Sequence, residues 1–144
     1  MILGVGTDLC DIRRIEQTLA RHGERFVQRI YTEEERQKAE KRGDARASRY
    51  AMFFAAKEAC AKALGTGFRQ NVYWRDLKVG NLPSGQPIMT LSNGALNRLQ
   101  SLTPDGYEAK IDISLTDEYP LAHAMVVISA VPRNDGSDTN GQDG

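Results

Sequence analysis

Glu58 and Lys62 stand four residues apart in a run that is otherwise mostly alanine: Phe54-Ala55-Ala56-Lys57-Glu58-Ala59-Cys60-Ala61-Lys62-Ala63-Leu64-Gly65-Thr66-Gly67. Alanine is the best helix former, so the run reads as helix, and the two glycines read as its exit. Four residues of helix rise about 6 Å, so the carboxylate and the ammonium share a face. Far upstream a lone acid follows a strand-like segment, Val5-Gly6-Thr7-Asp8. Two carboxylates from separate elements suit Mg²⁺, which takes oxygen ligands and is commonly completed by waters and substrate phosphates. Lys62 is then placed to neutralise a phosphate. On residue types alone, an ordinary surface pair worth about 0.2–0.5 kcal/mol competes evenly with that chemistry.

The surrounding pattern supplies the elements that must position these groups. Ile2 to Leu9 is β-branched and apolar, with Gly4 and Gly6 allowing close backbone approach. Asp11 suits an N-cap for a helix with Ile12, Ile15 and Leu19 on one face and Gly23 near its end. Thr32-Glu33-Glu34-Glu35 has the capping-box pattern. Asp44 suits the cap of a long helix from Ala45 to Leu64, with Phe53, Ala56, Cys60, Ala63 and Leu64 as its core face and Glu58 and Lys62 on another stripe. Strands are expected at 76–79 and 87–91 around Leu82-Pro83-Ser84-Gly85, and a helix capped by Ser92 through Leu102. The last ordered pair, 107–116 and 122–131, suits an antiparallel hairpin. Beyond it the chain is polar with nothing apolar, which reads as a disordered tail over 132–144. The expectation is one domain over residues 1–131.

Composition narrows the function classes. The 144 residues carry no formal net charge, with 19 basic and 19 acidic side chains. The halves differ: 14 Lys+Arg against 10 Asp+Glu in residues 1–70, and 5 against 9 thereafter. That is too mild for a general nucleic-acid binder, but it allows a local basic surface for an acidic protein partner. No apolar run is long enough to span a bilayer. The start lacks a basic region and cleavage site, so a cytoplasmic location is expected. Cys10 and Cys60 alone make neither a zinc site nor a disulfide framework.

The Phe54–Ala59 run with Lys62-Ala63-Leu64-Gly65-Thr66-Gly67 resembles the signature of holo-[acyl-carrier-protein] synthases, the small bacterial class of 4′-phosphopantetheinyl transferases. Gly4-Val5-Gly6-Thr7-Asp8 with Arg14-Ile15 is similar to that family's opening motif. Phe26, Arg29-Ile30, Thr32 and Glu35, Gly85 and Pro87, and Ser114-Leu115-Thr116 are similar to its later blocks. The resemblance spans residues 1–131. It implies an α+β fold with helices packed on a mostly antiparallel sheet. It also implies transfer of the 4′-phosphopantetheine arm of coenzyme A to a serine of acyl carrier protein, releasing adenosine 3′,5′-bisphosphate, in fatty acid biosynthesis. Carried over, Asp8 and Glu58 bind Mg²⁺ and Lys62 contacts the diphosphate. Gly65, Thr66, Gly85, Pro87 and Ser114 surround coenzyme A, and the chain forms a homotrimer with active sites between subunits. Acyl carrier protein docks on the first helix through Arg14, Arg21 and Arg25.

Two positions depart from the pattern. Many relatives place arginine at the position of Phe53, so a phosphate contact is lost or is taken over by a basic residue such as Arg49. Many place histidine where this chain has Asp117, and a carboxylate cannot donate to a phosphate. The proton of the attacking serine goes to a metal-bound water or a nearby carboxylate. Glu35 is a weak candidate, because capping already accounts for it. Lys57 reads as a solvated helix lysine with an open supporting role, and His22 and His123 as structural or surface residues. Two other readings stand beside the enzyme: a regulatory module that binds a nucleotide-like phosphate without turnover, and a purely structural assembly protein.

Overall fold

The computed structural model describes residues 1–134. Strand β1 (Ile2–Asp11) leads into helix α1 (Ile12–Ile30) and then α2 (Glu33–Glu40). The long helix α3 (Arg46–Leu64) is followed by strands β2 (Leu77–Asn81) and β3 (Pro87–Leu91), helix α4 (Asn93–Leu102), and strands β4 (Tyr107–Glu118) and β5 (Leu121–Pro132). The main sheet is antiparallel in the order β1-β5-β4, and β2-β3 form a separate antiparallel hairpin. The expected α+β class is what is found.

Helix α3 lies across the main sheet, with Tyr50, Phe53, Ala56, Ala59, Cys60 and Leu64 buried beneath it. Two glycines set how closely it lies. A Cβ on Gly4 would sit 1.9 Å from the Ala63 carbonyl oxygen, and one on Gly6 would sit 1.8 Å from that of Ala59. Strand and helix backbones therefore touch, which no residue with a side chain permits. On the sheet, Ala122, Ala124, Val126, Ile128 and Ala130 of β5 alternate inward and are buried, the period-2 pattern of a half-covered strand.

Several element ends differ from expectation for local reasons. Helix α1 does not stop at Gly23; it breaks there (φ 26°, ψ −100°) and resumes to Ile30, because Val27 and Ile30 bury a second apolar stripe. Asp44 lies within a 3-10 turn at Gly43–Ala45, and α3 starts from Ala45 without a side-chain cap. Ser92 occupies the N-cap of α4 but makes no capping hydrogen bond. Asp76 closes a 3-10 turn (Trp74–Asp76), so β2 begins at Leu77. Pro132 belongs to β5 rather than to a tail, and the Arg133 N–H donates to the Gly106 carbonyl at 2.7 Å. The rest of the expected tail, 135–144, lies outside the described residues. Among the described residues, no helix is long and apolar enough to cross a membrane.

Candidate active site

Asp8 and Glu58 come together because β1 and α3 are in backbone contact. Asp8 shares the inward face of β1 with Gly6 and Cys10 and is paired in register with Ala124. Lys62 bridges from α3: its Nζ lies 3.0 Å from Asp8 Oδ1 and donates to the Thr7 carbonyl at 3.0 Å. Its side chain stays half-exposed, while that of Asp8 is 17 % exposed. Glu58 is half-buried one turn earlier. Burial, and then the charge of Asp8, raise its carboxyl above the ordinary value of 4.5, and Lys62 only partly offsets them. No hydrogen bond contributes to that balance among the described residues. Two carboxylates crowded together, one without a donor, form an electrostatic deficit that a cation relieves.

That donor set is all oxygen, so it fits a hard divalent cation. Among the described residues no group of three His, Cys, Asp or Glu comes together. An ion on Asp8 and Glu58 would therefore keep most of its coordination positions for water and substrate oxygens.

The helix exit follows directly. Gly65 is the C-cap in the left-handed region (φ 80°), and its N–H returns to the Lys62 carbonyl at 3.0 Å. Thr66 is buried, and its hydroxyl donates to the Gly67 carbonyl at 2.8 Å. Arg98 of α4 donates from Nε to the Leu64 carbonyl at 2.9 Å, satisfying one of the helix's orphan acceptors. Nothing in the sequence pattern marked that arginine.

Other predicted residues lie elsewhere in the chain. Ser114 is exposed on β4, on the face opposite Ala109, Ile111, Ile113 and Leu115, and pairs in register with Met125. It therefore faces away from α3. Gly85 closes the β2–β3 turn, its N–H donating to the Leu82 carbonyl at 2.8 Å, and Pro87 begins β3. Gly85 borders a cavity that includes none of Asp8, Glu58 and Lys62. On α1, Arg13 is occupied by the cap residue Asp11, with contacts at 2.9 and 2.7 Å. Arg14, Arg21 and Arg25 are exposed and take part in no ion pair among the described residues. A cavity of about 900 Å³ between α1 and α2 includes Arg25, Arg29, Arg36 and Arg75. His123 Nε2 and Thr7 Oγ1 lie 2.7 Å apart on the outer face of the sheet, and His22 is exposed on α1.

Lys57 is not a solvated lysine. Its side chain is fully buried, with Nζ 2.9 Å from Glu35 Oε1, 3.0 Å from the Trp74 carbonyl and 2.6 Å from the Leu77 carbonyl. Burial draws its proton affinity down and Glu35 opposes the shift. Glu35 also accepts from the Thr32 N–H at 2.8 Å, completing the capping box, and from the Val79 N–H at 2.7 Å. Both oxygens of Glu35 are engaged, by Thr32, Lys57 and Val79, and the side chain has no exposure, so it has no route to a substrate proton and does not serve as a base.

Comparison with known proteins identifies the family. Residues 4–123 match the model of the 4′-phosphopantetheinyl transferase superfamily. A holo-[acyl-carrier-protein] synthase of Mesorhizobium japonicum is 61 % identical over 132 residues, covering 92 % of this chain and 96 % of the relative. The chain belongs to the holo-[acyl-carrier-protein] synthase family. The enzyme of that name from Bradyrhizobium diazoefficiens is 59 % identical over 135 residues, with 92 % and 97 % covered. The family's crystal structure from Neisseria meningitidis superposes with a TM-score of 0.79 at 33 % identity, covering 90 % of this chain and 99 % of that one. The Helicobacter pylori enzyme, solved in complex with coenzyme A, gives 0.73 at 29 % identity, covering 87 % and 99 %.

Proposed function

We propose that this chain moves the 4′-phosphopantetheine arm of coenzyme A onto a serine of apo acyl carrier protein. Adenosine 3′,5′-bisphosphate leaves, and the holo carrier serves fatty acid biosynthesis in the cytoplasm. The observation that carries the reading is the contact of β1 with α3, which brings Asp8 beside Lys62 and within charge interaction of Glu58. Mg²⁺ held by Asp8 and Glu58 would neutralise the diphosphate and help stabilise charge on its leaving oxygen.

The serine Oγ attacks the β-phosphorus, the bond to the bridging oxygen breaks with its electron pair leaving on adenosine 3′,5′-bisphosphate, and the hydroxyl proton passes to water. Lys62 exchanges its contact with Asp8 for the diphosphate, where its charge opposes the negative charge building on the leaving group. Gly65 turns the backbone so that the ligand can approach the end of α3. Arg14, Arg21 and Arg25, in no ion pair among the described residues, are suited to the acidic carrier protein and would chiefly raise its association rate.

A homotrimer fits the outer face of the sheet, where Val5, Leu9 and Met125 are 55, 63 and 45 % exposed. These apolar side chains, exposed around Thr7 and His123, suit an interface, and a neighbouring subunit is the route by which Ser114 would reach a coenzyme A site. Met125→Glu should yield monomers by light scattering and inactive protein; an active monomer would remove the trimer from the reading. The decisive assay is mass spectrometry of apo acyl carrier protein incubated with coenzyme A. The arm should appear with Mg²⁺ and disappear with EDTA. Tight coenzyme A binding with no mass gain would favour the non-catalytic binding module instead.

A further inference from the structure

The segment that leaves α3 is held from outside by α4 and its N-cap, at three points along its length. At its start, Arg98 Nε donates to the Leu64 carbonyl at 2.9 Å, and a Cβ on Gly65 would lie 3.4 Å from Arg98 Nη2. In its middle, Gln70 and Asn71 both have positive φ (56° and 66°), and a Cβ on Gly94 would lie 1.9 Å from the Asn71 carbonyl oxygen. At its end, the Asp76 carboxylate accepts from Asn93 Nδ2 at 2.9 Å and the Asp76 carbonyl from the Ser92 N–H at 3.0 Å. Two successive non-glycine residues at positive φ carry strain that persists only where the surroundings impose it. The backbone of α4 at Gly94 is part of those surroundings. Ala95 and Leu99 are buried in the core, so all three contacts share one fixed support.

Arg98 also brings a charge. It is half-buried and in no ion pair among the described residues. A helix ends in a partial negative charge of about −0.5, carried by its last carbonyls. In α3 the Ala61 and Lys62 carbonyls are met within the turn, by the N–H groups of Gly67 and Gly65 at 3.1 and 3.0 Å. The Leu64 carbonyl is met by the guanidinium. An anion brought to this end of a helix is repelled unless a cation offsets the carbonyls. We infer that Arg98 is a positioning residue for the transfer reaction, a role that rests on the coenzyme A reading above. From α4 it fixes the Gly65–Gly67 exit and offsets the negative end of α3, so that the diphosphate can lie beside Lys62. Its Nε is committed to Leu64, and its effect reaches the substrate through the exit backbone and through charge. Helix α4 is then part of the site's frame, although it supplies none of the three charged groups at its centre.

Full-length wild type, Arg98→Met and Arg98→Lys are compared by transfer to apo acyl carrier protein. Arg98→Met should raise the KM for coenzyme A about 3- to 30-fold, the range for a cation at a partly buried helix end. It should lower kcat by less and hold the KM for the carrier protein. A loss of folded protein alone would lower kcat and leave both KM values in place. Arg98→Lys should recover part of the loss. The gap between wild type and Arg98→Met should narrow as salt rises, because salt screens the charge. Amide hydrogen exchange gives a reading that needs no substrate: Arg98→Met and Gly94→Ala should each speed exchange over 65–71 and leave β5 unchanged. Exchange over 65–71 that neither variant alters, a fall in kcat with an unmoved KM, or equal rises in the two KM values would overturn the assignment. Should wild type transfer no arm, the enzyme reading falls, and exchange over 65–71 still decides whether Arg98 holds the exit.

Discussion

Helix α3 carries two lysine–carboxylate pairs five residues apart, and their environments are opposite. Lys57 and Glu35 are fully buried; all three donors of the ammonium are used, and both oxygens of the carboxylate accept from Lys57 or from backbone N–H groups. Lys62 and Asp8 sit in a half-open notch, beside a Glu58 to which nothing donates among the described residues. The first pair joins α2, α3 and the start of β2 into one body. The second leaves lone pairs and charge unspent. Binding and catalysis draw on what a fold has left unsatisfied; a complete network can only hold things still.

Removing one partner from the closed pair should have the largest effect. Lys57→Met strands the Glu35 charge in the interior and should cost about 3–5 kcal/mol in urea denaturation. Turnover per folded molecule should be nearly intact in the cold. A stable but inactive Lys57→Met protein would erase the contrast. Glu58→Ala should do the reverse. Carrier modification should fall about 10²–10³-fold, the scale for losing one electrostatic stabiliser, with the urea midpoint preserved or raised. Lys62→Met should lower kcat/KM about 10- to 100-fold by loss of a charged hydrogen bond, measured by the same mass assay.

The smallest effect concerns pH. Because the Glu58 carboxyl is raised in the folded chain, its contribution to stability is fully present below the ordinary value of 4.5. That contribution is lost as pH rises through the raised value. Glu58→Gln should flatten this part of the Tm-against-pH curve and lift the metal-free Tm at neutral pH. Mg²⁺ should lift the wild-type Tm there and leave that of Glu58→Gln nearly unchanged. A wild-type Tm indifferent to Mg²⁺ would argue against the carboxylate pair as an ion site.

Much of this arrangement was legible in the sequence. Periodicity gave the helix, the capping box gave the start of α2, and the glycine pair gave the close approach of β1. The difference between the two lysines was not. Both stand in the same alanine-rich helix, and local pattern cannot tell which face receives the β2–β3 hairpin and which receives β1. Glu35 was legible as a cap because that bond spans three residues; its bonds to Lys57 and Val79 cross the fold. Arg49 and Gly85 were each picked out in the sequence, but the cavity they share with Lys38, Lys41, Arg42 and Asn81 exists only once the β2–β3 turn lies beside α2 and α3. At Gly23 the break was visible, but not the renewed apolar stripe that carries α1 onward.

The contact of Gly4 and Gly6 with the Ala63 and Ala59 carbonyls also bears on how this enzyme tolerates change. Most interiors have some give, since a side chain can change rotamer and let its neighbours settle. Two backbones in contact have none. The separation of Asp8 from Glu58 is fixed by atoms common to every residue, so repacking elsewhere in the core can alter stability without altering the gauge of the site. The alanines of α3 then serve as clearance along a sliding fit. Positions 4 and 6, which need touch no ligand, would be among the least forgiving in the chain.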